Sequence, residues 1–262
     1  MAWSPLATQF CLELAFGVLF GLALIPKAPM GTFFYRMMGT TALLPLACAL
    51  VAPPIWTEGA AWTDGGVILA GAAALLFPVY SGPVKGTTRQ YALIAATVLT
   101  GGALVFALAP LPAADGAGAL ALASLSAMST GLVAGGVGLA MVVGHWYLTV
   151  PQLPVSWLVR LNRLTAWAMI ASVLFLVLTC MLHSQHFADA RTPLLGPWGL
   201  FYLGGRVAVG LALPLLFAWM TAGSLKYENT RSATGILYAS TVLVLIGTAL
   251  SISLQDSYGV PL

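Results

Sequence analysis

The sequence is organised around long apolar runs, each close to twenty residues and each bounded by charge, proline or glycine. A hydrocarbon core of roughly 30 Å is crossed by about 20 residues at 1.5 Å each. Eight stretches have that length, at 8–25, 34–53, 64–82, 89–109, 119–148, 156–182, 198–224 and 232–253. Only 6% of the 262 residues are charged and 60% are hydrophobic, whereas roughly a quarter of a water-soluble domain is charged. The chain is therefore expected to be all-α, a polytopic membrane protein of about eight transmembrane helices. Residues 1–262 read as one integral membrane domain with the lipid bilayer as solvent. The fifth run is too long for one straight span, so it should tilt, break near the Ser-Ala-Met-Ser-Thr stretch at 126–130, or project outward. The opening segment MAWSPLATQFCLELAF lacks the basic region of a signal peptide and carries Glu13 within its apolar run. It is expected to remain as the first membrane helix.

Orientation follows from the basic residues. Lys27 and Arg36, Lys85 and Arg89, Arg160 and Arg163, and Lys226 and Arg231 fall in alternate connections and account for eight of the ten Lys and Arg. The other connections carry Glu58, Asp64, Asp115, Asp189 and Arg191, with Asp256 near the C-terminus. By the positive-inside rule both termini lie outside, periplasmic in a bacterial inner membrane. Trp3, Trp56, Trp62 and Trp198 then fall at the outer interface, and Tyr35, Trp146, Tyr147, Trp157 and Tyr227 at the inner one.

Helices one to four and five to eight both start outside, so the halves 1–112 and 113–262 are candidate parallel repeats. Short matches fall in order. Gly21-Leu22-Ala23 answers Gly138-Leu139-Ala140, and Arg36 with Thr41-Ala42 answers Arg160 with Thr165-Ala166. Leu75-Leu76-Phe77 answers Leu215-Leu216-Phe217, and Thr88-Arg89 answers Thr230-Arg231. Two duplicated four-helix bundles would place a ligand at their interface.

An ionisable group in the bilayer core costs several kcal/mol unless paired or hydrated, which makes each one a functional candidate. Glu13 and Arg206 are expected at similar depth in the outer half, where they could pair. His183 and His186 follow helix six on the same side, with Tyr202 nearby, so these five residues form a candidate quinone or substrate site. A histidine there could accept a quinol proton. Packing offers the plainer account of the pair, as an ion pair that fixes helices. His145 ends a small-residue stripe with Gly131, Gly135 and Gly138. Such a stripe suits a close helix crossing, or leaves room for a porphyrin with His145 as axial ligand of a b haem. Both other histidines lie at the opposite surface, so a second ligand would have to be a Met or come from another subunit. Lys226, Glu228 and Arg231 occupy a turn in which Asn229 or Thr230 is expected to cap the last helix. Pro26, Pro45, Pro78 and Pro214 are expected kinks or ends, with Pro214 the best placed hinge.

Several functions have no support. There is no basic stripe for nucleic acid. Cys11, Cys48 and Cys180 show no metal or redox spacing. No nucleotide-binding, zinc-protease or nucleophile-elbow motif occurs. Three readings remain. The first is a quinone-interacting, anchoring membrane subunit of a respiratory or electron-transfer complex, with quinone or, less readily, haem b as cofactor and other membrane or redox subunits as partners. The second is a small-molecule permease of two four-helix repeats. The third is a purely structural or assembly subunit.

Overall fold

A computed structural model describes residues 3–51, 60–81, 84, 86–109, 111, 116–150, 153–190 and 192–262. Among them it is all-helical: α1 (Trp3–Leu24), α2 (Gly31–Val51), α3 (Ala60–Ser81), α4 (Gly86–Leu108), α5 (Ala117–Thr149), α6 (Ser156–Leu182), the short α7 (Ser184–Ala188), α8 (Pro197–Lys226) and α9 (Thr230–Tyr258). Seven of these are long and apolar enough to cross a membrane, and α3 adds the shorter apolar stretch Ile68–Tyr80. Large apolar side chains such as Phe33, Tyr91, Leu174, Met181 and Trp219 stand on the outside. That surface suits lipid, where exposing an apolar side chain costs nothing.

α2 and α4 begin three residues earlier than their apolar runs and α6 begins where its run does, so Arg36, Arg89, Arg160 and Arg163 ride on the opening turns of these helices rather than in loops. Long basic side chains reach from such positions to the interface with their stems in the apolar layer. Arg89 is the exception, because it is buried. Its guanidinium lies 3.9 Å from the centre of the Tyr35 ring and donates to Val84 O. Tyr35, expected in the inner aromatic belt, is buried and donates to Ile25 O at 2.6 Å. The pair ties the α1–α2 turn to the start of α4. Trp198 and Tyr227 are exposed as a belt requires. Trp56, Glu58, Lys85, Asp115 and Arg191 lie outside the described residues, as do the side chains of Trp3, Trp62 and Asp64.

α5 runs unbroken through 126–130 for 33 residues, about 50 Å of helix. Ser129 and Thr130 donate back to Ser126 O and so stay within the helical ladder. Pro45 and Pro78 are absorbed inside α2 and α3. Pro214 marks a real irregularity, because the turns before it, Ala208–Ala212, are π-helical. Proline has no N–H to return to the preceding turn, and a π-bulge is one way to accommodate the mismatch. At the other end of α8, Glu228 takes a left-handed φ of 55° and Asn229 Oδ1 accepts from Ser232 N, capping α9 as expected.

Helices α1 to α4 form a closed ring in which each packs on the next and α4 returns to α1. α5, α6, α8 and α9 form a second ring of the same order. The rings meet along α1 and α5, with lesser contacts of α4 on α5 and of α1 on α9. The α1–α5 seam is backbone against backbone. A Cβ on Gly135 would stand 2.5 Å from Val18 N and 2.7 Å from the Gly17 carbonyl carbon. α8 and α9 cross in the same way, a Cβ on Gly210 falling 2.6 Å from Gly247 Cα.

Candidate functional site at the bundle seam

The half of the seam nearer the chain termini gathers buried polar side chains from five helices. From α1 come Gln9 and Glu13, one turn apart, with Glu13 2% exposed. Gln9 Nε2 donates to Glu13 Oε1 at 2.7 Å and to Gln255 Oε1 of α9 at 2.8 Å. Gln255 Nε2 returns a bond to Gln9 Oε1 at 2.5 Å. Two amides thus close a ring between α1 and α9, and Gln9 spends its second N–H on the carboxylate.

Arg206, 1% exposed, enters from α8 just before the π-helical turn. Its Nη2 donates to Thr130 Oγ1 of α5 at 3.0 Å and to Ser172 Oγ of α6 at 2.9 Å. Because the Thr130 hydroxyl donates its own proton to Ser126 O, its lone pairs are free to receive the guanidinium. Thr130 sits beside Gly131, whose missing Cβ admits the backbone of Glu13. Adjacent residues of α5 therefore hold the carboxylate helix on one side and the guanidinium on the other, at one depth.

The hydrogen-bond inventory is incomplete. Glu13 Oε2, Arg206 Nε and Arg206 Nη1 are buried without partners, although the two charges lie close enough to act on one another. A guanidinium has five N–H groups, and here two are satisfied. The site thus presents three unspent donors on one side and an unspent carboxylate oxygen on the other. A group that accepts at Arg206 and donates at Glu13 would complete both.

No protein family, curated protein or solved structure matches the chain. Its chemistry has to be read from these side chains.

The other expected site residues lie elsewhere. His183 ends α6, with Nδ1 3.2 Å from Thr179 O, and the helix breaks there before α7. His186 Nε2 is 2.9 Å from Tyr258 O at the end of α9. Tyr202 is 38% exposed on the flank of α8, edge-on to Phe201. These three belong to the helix ends nearest the chain termini rather than to the Glu13–Arg206 centre. His145 is exposed, with Nδ1 3.1 Å from the Tyr238 hydroxyl. Of the glycines on the face below it, Gly131 and Gly135 are filled by α1, whereas a Cβ on Gly138, two turns from His145, would meet nothing within 4 Å.

Gln9, Gln255, Thr130 and Ser172 were not singled out by sequence as site residues. Gln9 carried a usable signal, since an amide one turn before a carboxylate in an apolar run shares its face. Gln255 carried none before the fold brought α9 to α1.

Proposed function

We propose that this chain is an eight-span protein of a bacterial-type inner membrane, both termini outside, whose two four-helix bundles bind and pass a small polar solute at their seam. The observation that carries the reading is the unspent hydrogen-bonding capacity of Arg206 and Glu13 at full burial. A purely structural pair would be expected to satisfy itself, because each unmet charged atom in a low-dielectric interior costs several kcal/mol. A solute with an acceptor and a donor removes that cost on binding.

The duplication is supported by register. Two parallel repeats about an axis along the membrane normal bring equivalent residues face to face at one height. Along the seam Glu13 meets Gly131, Gly17 meets Gly135 and Gly21 meets Leu139, one residue from the Gly21–Gly138 match found by sequence. The rings also have the same packing order. Rocking one bundle on the other would pivot at the glycine seam, and the π-helical turn beside Arg206 is where α8 yields most easily.

The test is reconstitution of the purified protein in proteoliposomes with a panel of carboxylates, amino acids and polyols. Uptake of at least one class above empty vesicles is expected. Arg206→Gln and Glu13→Gln should reduce it more than tenfold while leaving the thermal melt within a few degrees. Uptake equal to empty vesicles across the panel refutes the permease.

A second reading, a quinone-interacting membrane subunit of a respiratory complex, is favoured by a separate feature. An apolar crevice of about 390 Å³ lies at the outer end, lined by Cys180, Ser184, Phe187, Leu194, Leu195 and Leu203, beside the turn that carries His183 and His186. A quinone ring needs such an apolar slot with a proton acceptor at its rim. Stoichiometric co-purification with cytochrome or iron–sulfur subunits from the native membrane would favour this reading over the permease.

A further inference from the structure

At the basic end of the molecule two grooves open on the lipid-facing surface, and they occupy equivalent places in the two rings. One lies between α2 and α3, with a volume of about 660 Å³, and has Arg36, Thr40, Thr41 and Tyr80 in its lining. The other lies between α6 and α8, with a volume of about 440 Å³, and has Asn162, Arg163, Ala218 and Trp219 in its lining. The second groove extends along α8 from Leu215 to Leu225, about 15 Å of helix. That is the depth of one leaflet of a roughly 30 Å hydrocarbon core. The first extends from Phe33 to Leu44 on α2, nearly the same depth.

Each groove combines apolar walls with one arginine, and no carboxylate lines the second among the described residues. The second also has an unmet polar group at its floor. Asn162, 5% exposed, spans the groove through Nδ2 to Ala218 O at 2.9 Å, while its Oδ1 is buried without a partner. In the first groove the Thr40 and Thr41 hydroxyls donate to Arg36 O and Met37 O and so face the groove as acceptors.

We infer that each groove seats one anionic phospholipid, its phosphate on Arg36 or Arg163 and an acyl chain along the slot. The lipid is chosen by charge complementarity and depth together. A guanidinium takes a phosphate bidentately, anionic headgroups collect at basic membrane faces, and an acyl chain matches a one-leaflet slot between Ala, Leu and aromatic walls. Nothing in this inference depends on the solute site at the seam.

The test is native mass spectrometry of the protein released from detergent after equilibration with phosphatidylglycerol or phosphatidylcholine. Two phosphatidylglycerols per chain are expected, and none of the zwitterionic lipid at the same concentration. Arg36→Gln and Arg163→Gln should each lower the count by one. Ala222→Trp, which fills the second slot without touching a charge, should also remove one. Equal retention of the two lipids, or two lipids still held by the variants, overturns the inference. A lipid-free dimer joined through this face overturns it as well.

Discussion

The two ends of the α1–α5 seam use the same backbone approach for opposite purposes. Toward the chain termini the crossing is flanked by Gln9, Glu13, Thr130, Ser172, Arg206 and Gln255, all buried. Toward the opposite end it is flanked by Leu19, Leu22, Leu139, Ala140, Val143 and Leu161, part of one continuous apolar cluster. Glycine spacing therefore sets how close the helices come, and the neighbouring side chains decide whether that closeness makes a seal or a site. The apolar half is closed by side-chain packing. The polar half concentrates charge in a volume where each unmet bond is expensive.

The comparison breaks most completely if the crossing itself is lost. Gly131→Val places a branched side chain where a Cβ already falls 3.0 Å from Glu13 Cα, and the opposing backbone cannot shift without moving α1. The cost is expected at about 3 kcal/mol or more, at the upper end for overpacking, and should appear as loss of the folded monomer in detergent sizing. A melt equal to that of the parent would mean that the seam is not the joint between the rings.

A smaller change separates the halves. Leu139 is buried and its Cδ2 reaches into the space left by Gly21. Leu139→Ala should cost about 2 kcal/mol, the low end for a core truncation, because in lipid the transfer term is missing and only packing is lost. Solute uptake, if Arg206 and Glu13 carry it, should keep its selectivity. Loss of selectivity with unchanged stability would show that the apolar half is part of the site.

The contrast between halves was legible in the sequence only in part. The spans, their alternating basic ends and the capping Asn229 follow from local chemistry, and local chemistry is what a sequence displays. The shared depth of Glu13 and Arg206 also follows, because helix rise converts residue number into height. The gathering of His183, His186 and Tyr202 with them does not. Depth along the membrane normal can be counted from a helix end, whereas position around the ring depends on which helices are neighbours. Tyr202 lies one turn from Arg206 and close to its face of the helix, yet it is 38% exposed where Arg206 is buried. The glycine stripe below His145 was readable as a close approach, but whether a helix or a flat cofactor fills it depends on α1, 114 residues away from the sequence of Gly131 to that of Gly17.

The smallest expected effect tests whether the outer network is cooperative. Gln9 donates to both Glu13 and Gln255, whereas Gln255 bonds only Gln9 among the described contacts. Gln9→Leu strips Glu13 of its one donor and leaves the Gln255 amide buried without a partner, a loss of about 1–3 kcal/mol. Gln255→Leu leaves the Gln9–Glu13 bond in place and should cost about 1 kcal/mol. The double variant should cost less than the two together, since the penalty for an orphaned Gln255 amide vanishes with the amide. Thermal melts of the four proteins in one detergent close the cycle. Strict additivity would mean that the amides do not hold α1 to α9, and that the carboxylate is positioned by the glycine seam alone.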